Sequence, residues 1–123
     1  MPVQTDTLGT GAFLKSEAPG SLSRETITIA SGAGILLAGT VVGKLTTGGK
    51  YKAYDNDASD GTQTAAAVIL NDVDATSADV KVIGFVRLAE VYSNRLVWGA
   101  AVTTDAEKTA ALADLAAQFV IAR

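Results

Sequence analysis

Apolar and polar positions alternate with a period of two along much of the chain. Residues 25–30 (ETITIA) set Glu25, Thr26 and Thr28 against isoleucine and alanine, the pattern of a half-buried strand. Residues 31–34 (SGAG) form a turn. The apolar run 35–45 is interrupted by Gly39 and Gly43, which predicts a strand with a bulge or a close backbone approach. After a turn at 46–49, residues 50–54 (KYKAY) predict a short strand, and 55–61 (DNDASDG) a polar loop. Residues 64–70 (TAAAVIL) are a buried strand, 71–78 a second turn, and 80–91 a longer strand.

The last third changes period. Thr104-Asp105-Ala106-Glu107 fits a capping box, and Leu112, Leu115, Ala116 and Phe119 follow at helical spacing, with Lys108 and Asp114 off that stripe. The helix should end near Gln118, leaving 119–122 (FVIA) to close the sheet as a final strand. Residues 1–24 follow neither period. They are rich in Thr, Gly and Ser, with only Phe13, Leu14 and Leu22 as anchors, and so read as an extended arm, disordered or pinned by a partner. The expectation is an α+β, β-rich fold: a single compact domain over 25–123, with short strands and one late helix, preceded by the arm.

Composition narrows the function. The chain has 123 residues, 48% hydrophobic and 19% charged, enough for one packed domain. With 10 basic and 13 acidic residues it offers no basic surface for nucleic acid. It has no Cys and no His, which removes disulfides, thiolate chemistry, the commonest general base and the commonest transition-metal ligand. The first residues do not read as a signal peptide, and no apolar stretch is long enough to span a bilayer.

Three motifs invite chemistry. The glycine-lysine stretch 39–50 (GTVVGKLTTGGK) suggests a phosphate loop, but GTVVGK is one residue short and Leu45 stands where a Mg²⁺-binding hydroxyl belongs. Strands on both sides make glycine turns the better reading. Asp55, Asp57 and Asp60 alternate as in a calcium loop, yet the required glycine falls on Asp60 and the closing glutamate on Ala66. A solvated turn loop accounts for them, and for Asp72, Asp74 and Asp79. Carboxylate catalysis has no defined pair, and one Trp with three Tyr is sparse for a sugar cleft. An enzyme is disfavoured and no cofactor is called for. Trp98 reads as a core residue before an interface anchor. Arg87, set opposite Val86 and Leu88 by the strand period, is a surface charge able to pair with Glu90 or a neighbouring subunit.

The ordered set of segments carries more than any one of them. AGTVVGK at 38–44, GKY at 49–51 with Tyr54 and Asp55, DG at 60–61, AVIL at 67–70 running into DVDA at 72–75, and LVW at 96–98 together resemble the bacteriophage lambda head decoration protein D family. The resemblance covers roughly residues 25–123. It implies a non-enzymatic capsid protein that forms homotrimers on the outside of the expanded phage head, at local three-fold positions. There it would cement the major capsid protein against the pressure of packaged DNA, with the N-terminal arm adding a strand to capsid protein. It also implies assembly in the host cytoplasm, with no direct nucleic-acid or membrane partner. Phe13, Leu14, Leu22, Arg87 and Trp98 are the candidate partner-binding residues. Two other readings stand beside it: a tail- or fibre-associated β module that attaches to glycans, and a small carboxylate hydrolase using Asp55, Asp57 or Asp60.

Overall fold

The computed structural model describes residues 12–123. Along these run the strands β1 (Leu14–Glu17), β2 (Arg24–Ile29), β3 (Gly34–Leu36), β4 (Val41–Lys44), β5 (Tyr51–Ala53), β6 (Ala65–Ile69), β7 (Val73–Ala75), β8 (Val80–Phe85) and β9 (Ala89–Val91). A 3-10 turn at Ser93–Arg95, the helix α1 (Asp105–Ala116) and the strand β10 (Val120–Ala122) complete the chain. The fold is β-rich, with short strands and one late helix.

Five strands close into a barrel in the order β2-β5-β4-β6-β8. All neighbours are antiparallel except β2 and β5, which meet in parallel at Ile29 and Tyr51. The two-residue period divides the barrel residues between two cores. Ile27, Ile29, Val42, Ala67, Ile69 and Val82 form one core, joined by Leu36, Val73 and Ala75 from the antiparallel pair β3–β7. Val41, Val68 and Phe85, of opposite parity, form the other with Phe13, Val91, Leu115 and Val120. That second core holds α1 and the three-stranded sheet β1-β9-β10 against the barrel.

Gly43 marks the close approach that its place in the apolar run predicts. The β4–β6 register shifts between Val42 and Gly43. A Cβ on Gly43 would lie 2.6 Å from Thr62 Cα and 2.8 Å from the carbonyl oxygens of Thr62 and Thr64. Only glycine fits without moving backbone.

The helix begins where its cap predicts. Thr104 Oγ1 accepts the Glu107 amide at 3.3 Å, and the Glu107 carboxylate turns back to the Thr103 amide and the Thr104 hydroxyl. Asp105 and Glu107 place negative charge on the first turn, where the helix dipole favours it. The helix ends at Ala116, two residues before the expected Gln118, and its buried face is Ala111 and Leu115. Asp114, off the predicted stripe, docks the helix by accepting the Ala65 amide at the start of β6, at 3.0 Å.

Four expectations change. The apolar run 35–45 is two strands, β3 and β4, belonging to different sheets, because Gly39 turns the chain at φ 91°. The strand expected over 80–91 divides into β8 and β9, broken where Leu88 takes φ 52°. The turn expected over 71–78 contains β7, too short at VDA for its alternation to register. Phe119 leaves the helical stripe altogether: at φ 63° it turns the chain from α1 into β10 and is 64% exposed.

The expected arm over 1–24 divides as well. Residues 1–11 lie outside the described residues. Beyond them, β1 pairs antiparallel with β9, Glu17 opposite Ala89, and Phe13 is buried edge-to-face on Phe85 with ring centroids 5.6 Å apart. Four residues are too few for a period to show, and a single phenylalanine gives no face to read.

Candidate functional site

The sequence raises three kinds of site: a metal centre, a phosphate loop and a partner surface. Among the described residues no group of three or more acidic, His or Cys side chains converges as metal ligands. The alternating aspartates face their own loops instead. Asp55 accepts the Asp57 amide at 3.0 Å, and Asp60 accepts the Thr62 amide and hydroxyl at 3.1 and 2.6 Å. Asp74 does the same for Thr76. The Thr62 and Thr76 hydroxyls hold the Asp60 and Asp74 carboxyls below their ordinary range. These are turn-forming side chains.

The glycine-lysine stretch is likewise backbone geometry. Residues 46–49 link β4 to β5, with Gly48 and Gly49 at φ 84° and 72°. Lys50 is engaged by Asp79 at 2.6 Å, and no helix N-terminus follows the turn. A pocket of about 380 Å³ lies beside β7 and β8, lined by Asp72, Asp74, Lys81 and neighbours, with no convergent catalytic group.

For the third, the structure shows a group of exposed apolar side chains. In the sheet β1-β9-β10, Ala89 pairs with Glu17 on one side and Val120 on the other. Leu88 and Phe119, each one residue earlier, therefore stand together at one end of this sheet. The Ala89 amide donates to the Phe119 carbonyl at 3.0 Å, and the Ala18 amide to the Leu88 carbonyl at 3.0 Å. Leu22 is tied to the same region through Arg87, whose guanidinium donates to the Leu22 carbonyl at 2.8 Å and pairs with Glu25 at 2.6 Å. Leu22, Leu88 and Phe119 are 54%, 41% and 64% exposed.

At the same end of the sheet, opposite Ala89, Glu17 accepts from both Nε and Nη2 of Arg24 and from the hydroxyl of the fully buried Ser23. Its contact with Arg24, ahead of the opposing effect of burial, holds the Glu17 carboxyl below its usual range. Arg24 in turn lies over the Phe85 ring at 5.1 Å. One ionic cluster thus fixes the end of β1 to the start of β2.

The five candidate residues fall in two places. Leu22 and Arg87 meet at the sheet end. Arg87 takes Glu25 rather than Glu90, because the chain bends at Leu88 and Glu90 is engaged by Arg123 at 2.6 Å. Phe13 lies in the second core, only 1% exposed, with Leu14 half-buried beside it. Trp98 packs half-buried on that same core through Tyr54, edge-to-face at 6.3 Å. Leu88 and Phe119 escape a reading of the sequence because each falls in register with an apolar stripe. Only the change of backbone at those two positions turns them outward.

No curated protein matches the chain. A sequence-family model described as bacteriophage lambda head decoration protein D matches residues 3–120. The ordered segments from AGTVVGK to LVW, carried here on a β-rich fold with one late helix, are thereby accounted for together, and the chain belongs to the bacteriophage lambda head decoration protein D family, structural proteins of the phage capsid and not a family of enzymes.

Proposed function

We propose that this protein is a cement of the phage head. It binds as homotrimers to the outside of the expanded capsid, at local three-fold positions, and stabilises the shell against packaged DNA. Family membership over residues 3–120 is the observation that carries this reading.

The architecture supports it in three ways. Among the described residues β1 is an edge strand, paired only with β9, and the chain ahead of it can supply a further strand to an exposed sheet edge of the major capsid protein. Ordering one such segment costs conformational entropy, so a single segment binds weakly; three on one trimer act at high effective concentration. A ligand that prefers the expanded shell stabilises that state by linkage, without chemistry. Catalysis has no part in this reading. Leu22 and Arg87 are surface contacts, Leu14 flanks the added strand, Trp98 lends its exposed edge, and Phe13 works from inside by anchoring β1.

The test is to mix the purified protein with expanded and unexpanded heads and with tails, and to image all three. Saturable decoration of expanded heads alone is the expected result; attachment to tails or glycans overturns the reading. Deleting residues 2–11 leaves Phe13 and β1 in place, so it probes strand addition without cutting the core. The truncated protein should lose most of its head binding. Binding equal to that of the full chain rejects the strand-adding arm.

A further inference from the structure

We propose that Leu22, Leu88 and Phe119, at one end of the β1-β9-β10 sheet, are the surface through which copies of this chain pack on one another. The inference rests on the trimeric state proposed above and names the surface that carries it.

The first observation is the backbone. Leu88 and Phe119 are the non-glycine residues with positive φ among the described residues, at 52° and 63°. Large side chains are disfavoured there, and a sequence selected for folding alone would place Gly or Asn at such turns. Both instead hold a large apolar side chain, and both turn it to the surface. The two are neighbours, since Val120 pairs with Ala89 directly after them. Backbone strain at an exposed site is a mark of function rather than of packing. An exposed aromatic ring within an apolar patch is also in keeping with the core of an interface, where aromatic residues are enriched.

Charge selects the occupant. The chain carries net charge −3, so copies of it repel except where a surface is locally neutral. The sheet end is such a surface. Its charged neighbours are Glu17 with Arg24 and Glu25 with Arg87, each paired at 2.6 Å and summing to zero. The chain's own N-terminal segment is a poor occupant. Residues 1–11 read MPVQTDTLGTG, largely polar, and they join the fold at Ala12, whose carbonyl accepts Arg95. That point lies at the Val91 end of β9, opposite the patch, because the Tyr92 amide donates to the Phe13 carbonyl. Closed three-fold symmetry brings one such patch from each copy around the axis.

The experiment compares the wild type with the double substitution Leu88→Asn, Phe119→Asn by sedimentation equilibrium, circular dichroism and head binding. Asparagine tolerates the left-handed region, so the substitutions remove apolar surface without taxing the backbone. The wild type should sediment as a trimer and the variant as a folded monomer at the same concentration, its association weakened about tenfold or more. A variant that stays trimeric overturns the proposal, and if it also loses head binding the patch faces the capsid. A wild type that is monomeric at every concentration overturns the trimeric reading itself, and this inference with it. Should the double variant fail to fold, Leu22→Asp, at an exposed position of ordinary φ, is read the same way: loss of the trimer supports the proposal and its retention overturns it.

Discussion

Gly43 shows how one residue can serve as a structural constraint without serving as a ligand. It sits in a stretch whose glycines and lysines suggest phosphate binding, yet its role is to let β4 pass against Thr62 and Thr64. The groups a methyl would strike are backbone atoms on the facing segment, which cannot swing aside as a side chain would. Gly43→Ala should therefore lower stability by about 2 kcal/mol or more, the scale of overpacking in a closed core. Urea unfolding of the variant checks this: the midpoint should fall with the slope unchanged. This position was legible in the sequence, because a glycine inside an apolar run weakens the strand unless a bulge or a close neighbour requires it. Leu88 and Phe119 were not. Their identity matches the stripes around them, and what distinguishes them is a dihedral angle imposed by the elements they connect.

Among the elements, those with a clean period or a cap were readable. ETITIA emerges as β2, the capping box opens α1, and FVIA supplies β10. The short ones were not, since the three residues of β7 and the four of β1 owe their strand state to β3 and β9 and not to local preference. β1 is anchored by the buried Phe13 at its start and by polar contacts of Ser16 and Glu17 further along, and those polar contacts titrate. The Glu17 carboxyl lies below its ordinary 4.5 because it accepts from Arg24 and Ser23, and Glu90 lies below its own because it accepts from Arg123 and Ser16. A depressed folded-state pKa contributes stability that is complete above the unfolded value and is lost as pH falls through the folded one. The protein should thus lose stability as the pH drops below about 4.5, with β1 the first element affected. Hydrogen exchange through Leu14–Glu17 should rise along that acid limb before exchange in the barrel does. In Glu17→Gln, β1 should already exchange faster at neutral pH, with a flatter acid dependence. If β1 and the barrel open together at every pH, the polar clasp is not what holds the strand.

At the scale of the whole molecule, the barrel and the small sheet divide the work. The barrel has no free edge, and the described edges of the second sheet are β1 and β10. Sequence reading reached the fold class and the family without the barrel, because closure is decided by pairings such as Ile29 with Tyr51 that no local pattern announces. The candidate surface was half legible for the same reason: Leu22 and Arg87 could be named singly, but their company could not.

The arrangement around β9 has a mechanical consequence. β1 flanks it antiparallel and β10 flanks it in parallel, so Phe13 and Arg123 come out on opposite sides of the same end, beside Val91 and Tyr92. A force drawn between those two residues pulls across the strands, not along them. It opens the hydrogen bonds one after another, starting with Tyr92 to Phe13 and Arg123 to Val91, instead of loading them all at once in shear. In a single-molecule pulling experiment the small sheet should peel at low force while the barrel stays closed, giving two separate rips. A shell under internal pressure would be served best by a cement that takes its load elsewhere than between these two points.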